Sequence, residues 1–115
     1  MTVLNDLAKE IHEDNVRAGW WPENKEAKNK GEMIALMHSE LSEMLEGVRK
    51  CIPDDKLPHH PMEQVELCDL LIRAFDYAGA YGFDLDRIIQ EKRLYNQTRS
   101  DHKVSNRVKP GGKAF

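Results

Sequence analysis

The sequence predicts an all-α protein: a four-helix bundle that assembles with further copies of itself. Three observations lead there. Apolar residues recur at three- and four-residue spacing in four separate segments, and no alternation of apolar and polar residues marks a strand. The connections are short, so consecutive helices become antiparallel neighbours. The third segment is apolar nearly all round, giving it more apolar face than three companion helices cover, and a second chain is the usual cover for the remainder.

The first helix runs from about Val3 to Ala18, with Val3, Leu4, Leu7, Ile11 and Val16 at helical spacing and Gly19 as its stop. Trp20-Trp21-Pro22 and the polar stretch ENKEAKNKGE follow. The second helix spans about Lys28 to Cys51, with Pro53 setting its end. Pro53 to Pro61 holds three prolines and two aspartates and reads as a loop. The third helix covers about Met62 to Tyr81 and stops at Gly82. Asp84 is the N-cap of the fourth, about Leu85 to Thr98. Residues beyond read as irregular. The chain therefore divides into a helical domain, 1–99, and a basic tail, 100–115, which is either part of that domain or a flap over its site.

Composition narrows the class. A chain of 115 residues, 40% hydrophobic and 32% charged, has the make-up of one ordinary globular domain with one core. No apolar run reaches the roughly 20 residues that span a bilayer, and the opening MTVLNDLAKEIHEDN is too acidic for a signal peptide. Cys51 and Cys68 lack C-x-x-C spacing, so the expected compartment is the reducing cytoplasm, with no membrane partner. Between residues 99 and 113, Arg99, Lys103, Arg107, Lys109 and Lys113 face Asp101 alone, so this stretch carries +4 and the remainder −7 of a net −3. A solvated tail, a nucleic-acid arm and a flap that meets a polyphosphate all fit such a balance. Without aromatic interleaving, nucleic acid is the least expected partner.

The chemistry concentrates in two acid pairs. Glu40-Leu41-Ser42-Glu43 lies on the second helix and Glu66-Leu67-Cys68-Asp69 on the third. Residues three apart share a helical face, so each pair can aim two carboxylates at one point. On the third helix, Glu66, Asp69, Arg73 and Asp76 form the narrow polar gap in an otherwise apolar circumference, so the acids are expected to be enclosed. Enclosed carboxylates raise one another's pKa and need protons or cations to neutralise them. Oxygen ligands without Cys or His select hard cations such as Mg²⁺, Mn²⁺ or Ca²⁺, and Mg²⁺ commonly pairs with substrate phosphates. The Glu-x-x-His of di-iron bundles is absent from the sequence. His59-His60 reads as a solvated loop pair.

On the fourth helix, the face begun by Leu85, Ile88 and Ile89 continues as Lys92, Asn96 and Arg99. These three are either a helix end emerging into water or phosphate donors turned toward the acids. Trp20 and Trp21 offer flat indole faces for stacking a base, or serve as core or dimer contacts.

Taken together, Glu40-x-x-Glu43, 22 intervening residues and Glu66-x-x-Asp69 resemble the signature of the MazG-like all-α nucleoside triphosphate pyrophosphohydrolases. HSELSEMLEGVRK, VELCDLLIRAFDYAGAYG, EKRLYNQTR and the terminal GGK resemble a compact single-domain branch of that superfamily, over nearly the whole chain. The resemblance implies a helical bundle assembled as a dimer or dimer of dimers. It implies hydrolysis of a nucleoside or deoxynucleoside triphosphate to the monophosphate and pyrophosphate, with Mg²⁺ as cofactor and Mn²⁺ as a substitute. Glu40, Glu43, Glu66 and Asp69 match the metal-binding acids, and Lys92, Asn96 and Arg99 match the phosphate-contacting run. Ser39 stands where many members carry a further glutamate. Glu40, Glu43 or metal coordination alone is then left to activate the water. The alternatives are a catalytically degenerate nucleotide-binding relative and a helical interaction protein whose acids are structural.

Overall fold

The computed structural model describes residues 2–99, 101 and 103–115. It is all-helical, with four long helices and a short one: α1 Val3–Arg17, α2 Lys30–Lys50, α3 Met62–Ala80, α4 Leu85–Thr98 and α5 Val104–Arg107. No strand is present among the described residues, and no helix among them is long and apolar enough to cross a membrane.

Local signals set the helix ends. α2 starts two residues later than the expected Lys28, because the Asn29 side chain accepts the Glu32 amide at 3.0 Å and so caps the helix. It ends at Lys50, because Cys51 turns left-handed, with φ of 53°. Asp84 caps α4 as expected by accepting the Arg87 amide. Helical turns also occur in the polar stretch, as a 3₁₀ turn over Lys25–Ala27 capped by Asn24, and in the basic tail expected to be irregular, as α5. Both are too short for apolar periodicity to register.

α3 is the central element. It packs against α1 on one side and α2 on the other, antiparallel to both. Glycine makes each approach close. A Cβ on Gly79 would lie 2.4 Å from the Ala8 carbonyl oxygen of α1, and one on Gly47 of α2 would lie 2.8 Å from the Glu63 amide nitrogen. Ala8, Ala78, Ala80 and Trp21 form the buried apolar core.

α4 departs from the expected bundle. It packs chiefly on α1, through a clasp between the two N-termini. Asp86 accepts the Leu4 and Asn5 amides at 3.2 and 2.9 Å, and the Asn5 side chain in turn accepts the Leu85 amide at 2.9 Å. Each helix thereby satisfies orphan N–H groups of the other. Ile88 and Ile89, expected to face inward, are exposed.

The α2–α3 connection is an ordered loop. The Met62 amide donates to the Ile52 carbonyl at 3.0 Å and the Asp54 amide to the His60 carbonyl at 2.9 Å. The Asp54 carboxylate, 4% exposed, accepts the Lys56 and Leu57 amides at 3.0 and 2.8 Å.

The single chain leaves much apolar surface open. No large side chain among the described residues is fully buried. Leu41, Leu45 and Val48 on α2 and Leu67, Leu71 and Ile72 on α3 remain exposed, so α3 is not enclosed all round as its sequence suggested. The radius of gyration is 17.8 Å, against about 13 Å for a compact domain of this length.

The close α1–α3 approach has a direct test. Gly79→Ala should destabilise the fold by about 1–3 kcal/mol through overpacking. Urea denaturation measures it, and an unchanged midpoint would contradict the contact.

Candidate metal centre

The antiparallel pairing of α2 with α3 turns the two acid motifs toward each other. Glu40 and Glu43 descend one face of α2, while Glu66 and Asp69 occupy the polar gap of α3. Carboxylate oxygens of Glu40, Glu43 and Glu66 lie within 4.8 Å of one another. Glu40 and Glu66 are 7% and 8% exposed, whereas Glu43 is open to solvent. Asp69 stands outside this trio and lines the same cleft, one helical turn beyond Glu66.

The cleft measures about 1100 Å³. Along with the acids, Arg73, Asp76 and Tyr77 of α3, Met33, Leu36 and Met37 of α2, and the loop from Ile52 to Leu57 line it. All four residues of the polar gap on α3 therefore reach it. Asn15, Trp20, Trp21 and Lys28 line it as well.

The electrostatics follow from enclosure. Burial pushes Glu66 up to about 8, helped by hydrogen bonding with Glu40 and Glu43 and by the charges of Glu43 and Asp69. Burial acts on Glu40 in the same direction. There it is outweighed by the hydrogen bond from Arg73, by bonding with Glu66 and by the guanidinium charge, which together hold Glu40 below the ordinary carboxylate range. Arg73 Nε donates to Glu40 Oε1 at 2.9 Å. The second oxygens of both residues, Glu40 Oε2 and Glu66 Oε2, are buried without any hydrogen-bond partner. Such orphans are costly unless something fills the space between them. An all-oxygen donor set with two unsatisfied buried atoms fits a hard divalent cation such as Mg²⁺ or Mn²⁺.

The other candidate residues fare differently. Lys92, Asn96 and Arg99 do not line the cleft of their own chain. Lys92 Nζ stands over the Tyr95 ring, 4.7 Å from its centroid, and Arg99 donates to Asp101 and to Asn96 Oδ1. The reason is the docking of α4, which rests on α1 rather than on the two helices that carry the acids. The face of Leu85, Ile88 and Ile89 is therefore not an inward one in the single chain.

Trp21 is buried. Its Nε1 donates to both oxygens of Asp76 at 3.1 Å, and its ring meets His12 edge-on at 4.9 Å between centroids. Trp20 is 70% exposed and free to offer its face to the cleft. Sequence reasoning placed Arg73 and Asp76 on the acidic stripe but assigned them no task. It passed over the buried His12, whose Nδ1 lies 2.9 Å from Asp76 Oδ1. A histidine one position after Ile11 carries no signal of that pairing.

Comparison with protein-family models, with curated proteins and with solved structures gave no match.

Because Glu66 keeps its proton in the folded chain up to about pH 8 and loses it near 4.5 when unfolded, folding binds a proton between these values. Stability of the metal-free protein should therefore fall as pH rises from about 4.5 to 8, and Glu66→Gln should flatten the slope. Thermal melts in EDTA across this range measure it. A parent whose stability rises steadily over the interval would contradict the enclosed arrangement.

Proposed function

We propose that this protein is a Mg²⁺-dependent nucleoside triphosphate pyrophosphohydrolase of the MazG-like type, working as a homodimer or dimer of dimers. The observation that carries the reading is the pair of buried, partnerless carboxylate oxygens on Glu40 and Glu66, facing one cleft from adjacent helices. Glu40, Glu43 and Glu66 would hold the cation, with Asp69 in reach of the same space. When bound, Mg²⁺ supplies charge neutralisation for a polyphosphate and lowers the pKa of a bound water.

The chain's own residues account for the remaining requirements. Glu43 is the solvent-open member of the trio, placed to take the proton of the water that attacks the α-phosphorus. Ser39 does not replace it: a neutral hydroxyl is a far weaker base than a carboxylate, and this one donates to the Leu36 carbonyl of its own helix at 2.6 Å. Lys28, Lys56 and Arg73 bring positive charge to the cleft wall, where the departing pyrophosphate needs it. Trp20 offers the exposed ring for a base, while Trp21 serves as a fixed wall. Ser39 also favours a second reading: a relative that binds nucleotide without turning it over.

Self-assembly rests on the open apolar stripes of α2 and α3 and on the extended shape of the single chain. It also bears on Lys92, Asn96 and Arg99. A phosphate contact by these residues requires that a second copy present its α4 to the cleft.

A screen of canonical and damaged nucleoside and deoxynucleoside triphosphates should reveal Mg²⁺-dependent pyrophosphate release that EDTA abolishes. Glu43→Gln should lower turnover by about a hundredfold or more with its helical circular dichroism unchanged. Parent-like turnover in that variant overturns the assignment of Glu43. Mg²⁺-dependent nucleotide binding with no pyrophosphate release for any substrate selects the second reading. Light scattering at micromolar concentration should return at least a dimeric mass, and a monomeric mass refutes the assembly.

A further inference from the structure

Arg73 is the cleft cation already tied to the acid cluster, through Glu40. It stands on the polar stripe of α3, four residues after Asp69 and seven after Glu66, and so on the same wall as both. Lys28 and Lys56 also line the cleft, but Arg73 is the cation bonded to an acid of the cluster among the described residues. The bond is unequal. Glu40 is the buried half, with its side chain 9% exposed, and Arg73 is the half that reaches water, at 42%. Glu40 is held by packing between two helices; the guanidinium is held by a single N–H.

A guanidinium carries five N–H donors. Only Nε of Arg73 is engaged by a protein acceptor among the described residues, which leaves both terminal nitrogens without one on a side chain that lines the cleft and is 42% exposed. The residue therefore has the fork that suits a phosphate, with the attachment that ties it to Glu40 confined to its inner edge.

We propose that Arg73 is the resident counter-cation of the acid cluster, releasing Glu40 when a divalent cation enters and turning its guanidinium to the phosphates of the polyphosphate substrate. The inference rests on the metal-centre reading above. Two considerations drive the exchange. A divalent ion held by Glu40, Glu43 and Glu66 places two positive charges beside the guanidinium, and like charges at such range repel. A polyphosphate entering the cleft then supplies an anionic partner of matching fork geometry. Arg73 thus competes with the metal and cooperates with the phosphate. A residue that merely braces α2 against α3 would do neither.

That opposition in sign is the test. Mn²⁺ binding by the full chain, followed by electron paramagnetic resonance, reads the metal step alone. Mn²⁺-dependent binding of inorganic tripolyphosphate, followed by calorimetry, reads the phosphate step without any base. Arg73→Gln should tighten Mn²⁺ binding about two- to fivefold, the scale of a partly exposed ion pair removed. The same variant should weaken tripolyphosphate binding about ten- to a hundredfold, the scale of a lost charged donor. Arg73→Lys, which keeps the charge but not the fork, should fall between parent and Arg73→Gln on the phosphate measurement. Weaker or unchanged Mn²⁺ binding in Arg73→Gln overturns the proposal while leaving the metal centre standing, and so does parent-like tripolyphosphate affinity. A parent that fails to bind Mn²⁺ at millimolar concentration overturns the metal-centre reading and this inference with it.

Discussion

Glu40 and Glu66 meet across the seam between α2 and α3, each with one oxygen shut away from water and from every donor. Most of the architecture around the cleft bears on that juxtaposition. An ionised carboxylate left alone in such a place would be destabilising by several kcal/mol. The chain meets the problem with two local devices: a proton kept on Glu66 and the guanidinium of Arg73 set against Glu40. Both are exchangeable, one with solvent and one by rotation of a long side chain. The seam is therefore stable enough to fold and still short of two hydrogen bonds, a condition that suits ligand binding better than it suits a purely structural contact.

The helices outside the seam shape the space in front of it. α1 reaches α3 only because Gly79 admits the Ala8 carbonyl, and this contact carries His12 and the Trp21 segment to Asp76. Asp76 is thereby spent on holding the wall, although it shares the helical stripe of Glu66 and Asp69. One stripe of α3 thus divides its polar residues between two tasks. Glu66 meets Glu40 and Glu43 across the seam, while Asp76 fixes an aromatic boundary two turns beyond Asp69. Trp21 is fastened at its nitrogen and packed at its edge, so the adjacent Trp20 is left as the ring that can move.

Much of this arrangement was legible in the residues. The spacing of Glu40 with Glu43 and of Glu66 with Asp69 fixes a common face on each helix, and Asp84, Gly82 and Pro53 punctuate the chain close to where the helices end. The convergence of the trio follows from antiparallel pairing of two such faces. The part that was not legible depends on which helix docks where. Leu85, Ile88 and Ile89 define an apolar face, but periodicity gives a face no partner. The clasp between Asn5 and the Asp84–Asp86 turn is what commits α4 to α1, and a single asparagine and two aspartates near helix starts read equally well as ordinary caps. The Asp76–Trp21–His12 group was hidden for a related reason, since Asp76 lies more than fifty residues from both of its partners in sequence.

The loop from Ile52 to Leu57 has a thermodynamic consequence. Its backbone is already closed upon itself through Asp54, His60 and the Ile52–Met62 bond, and the Asp54 carboxylate is taken up by the loop's own Lys56 and Leu57 amides. Ordering a free segment costs about 1–2 kcal/mol for each residue fixed. A rim that is ordered in advance spares an incoming molecule that loss, so contacts made there count toward affinity almost in full. The same closure means that the rim offers little induced fit: molecules are accepted or refused by the shape that the loop already has.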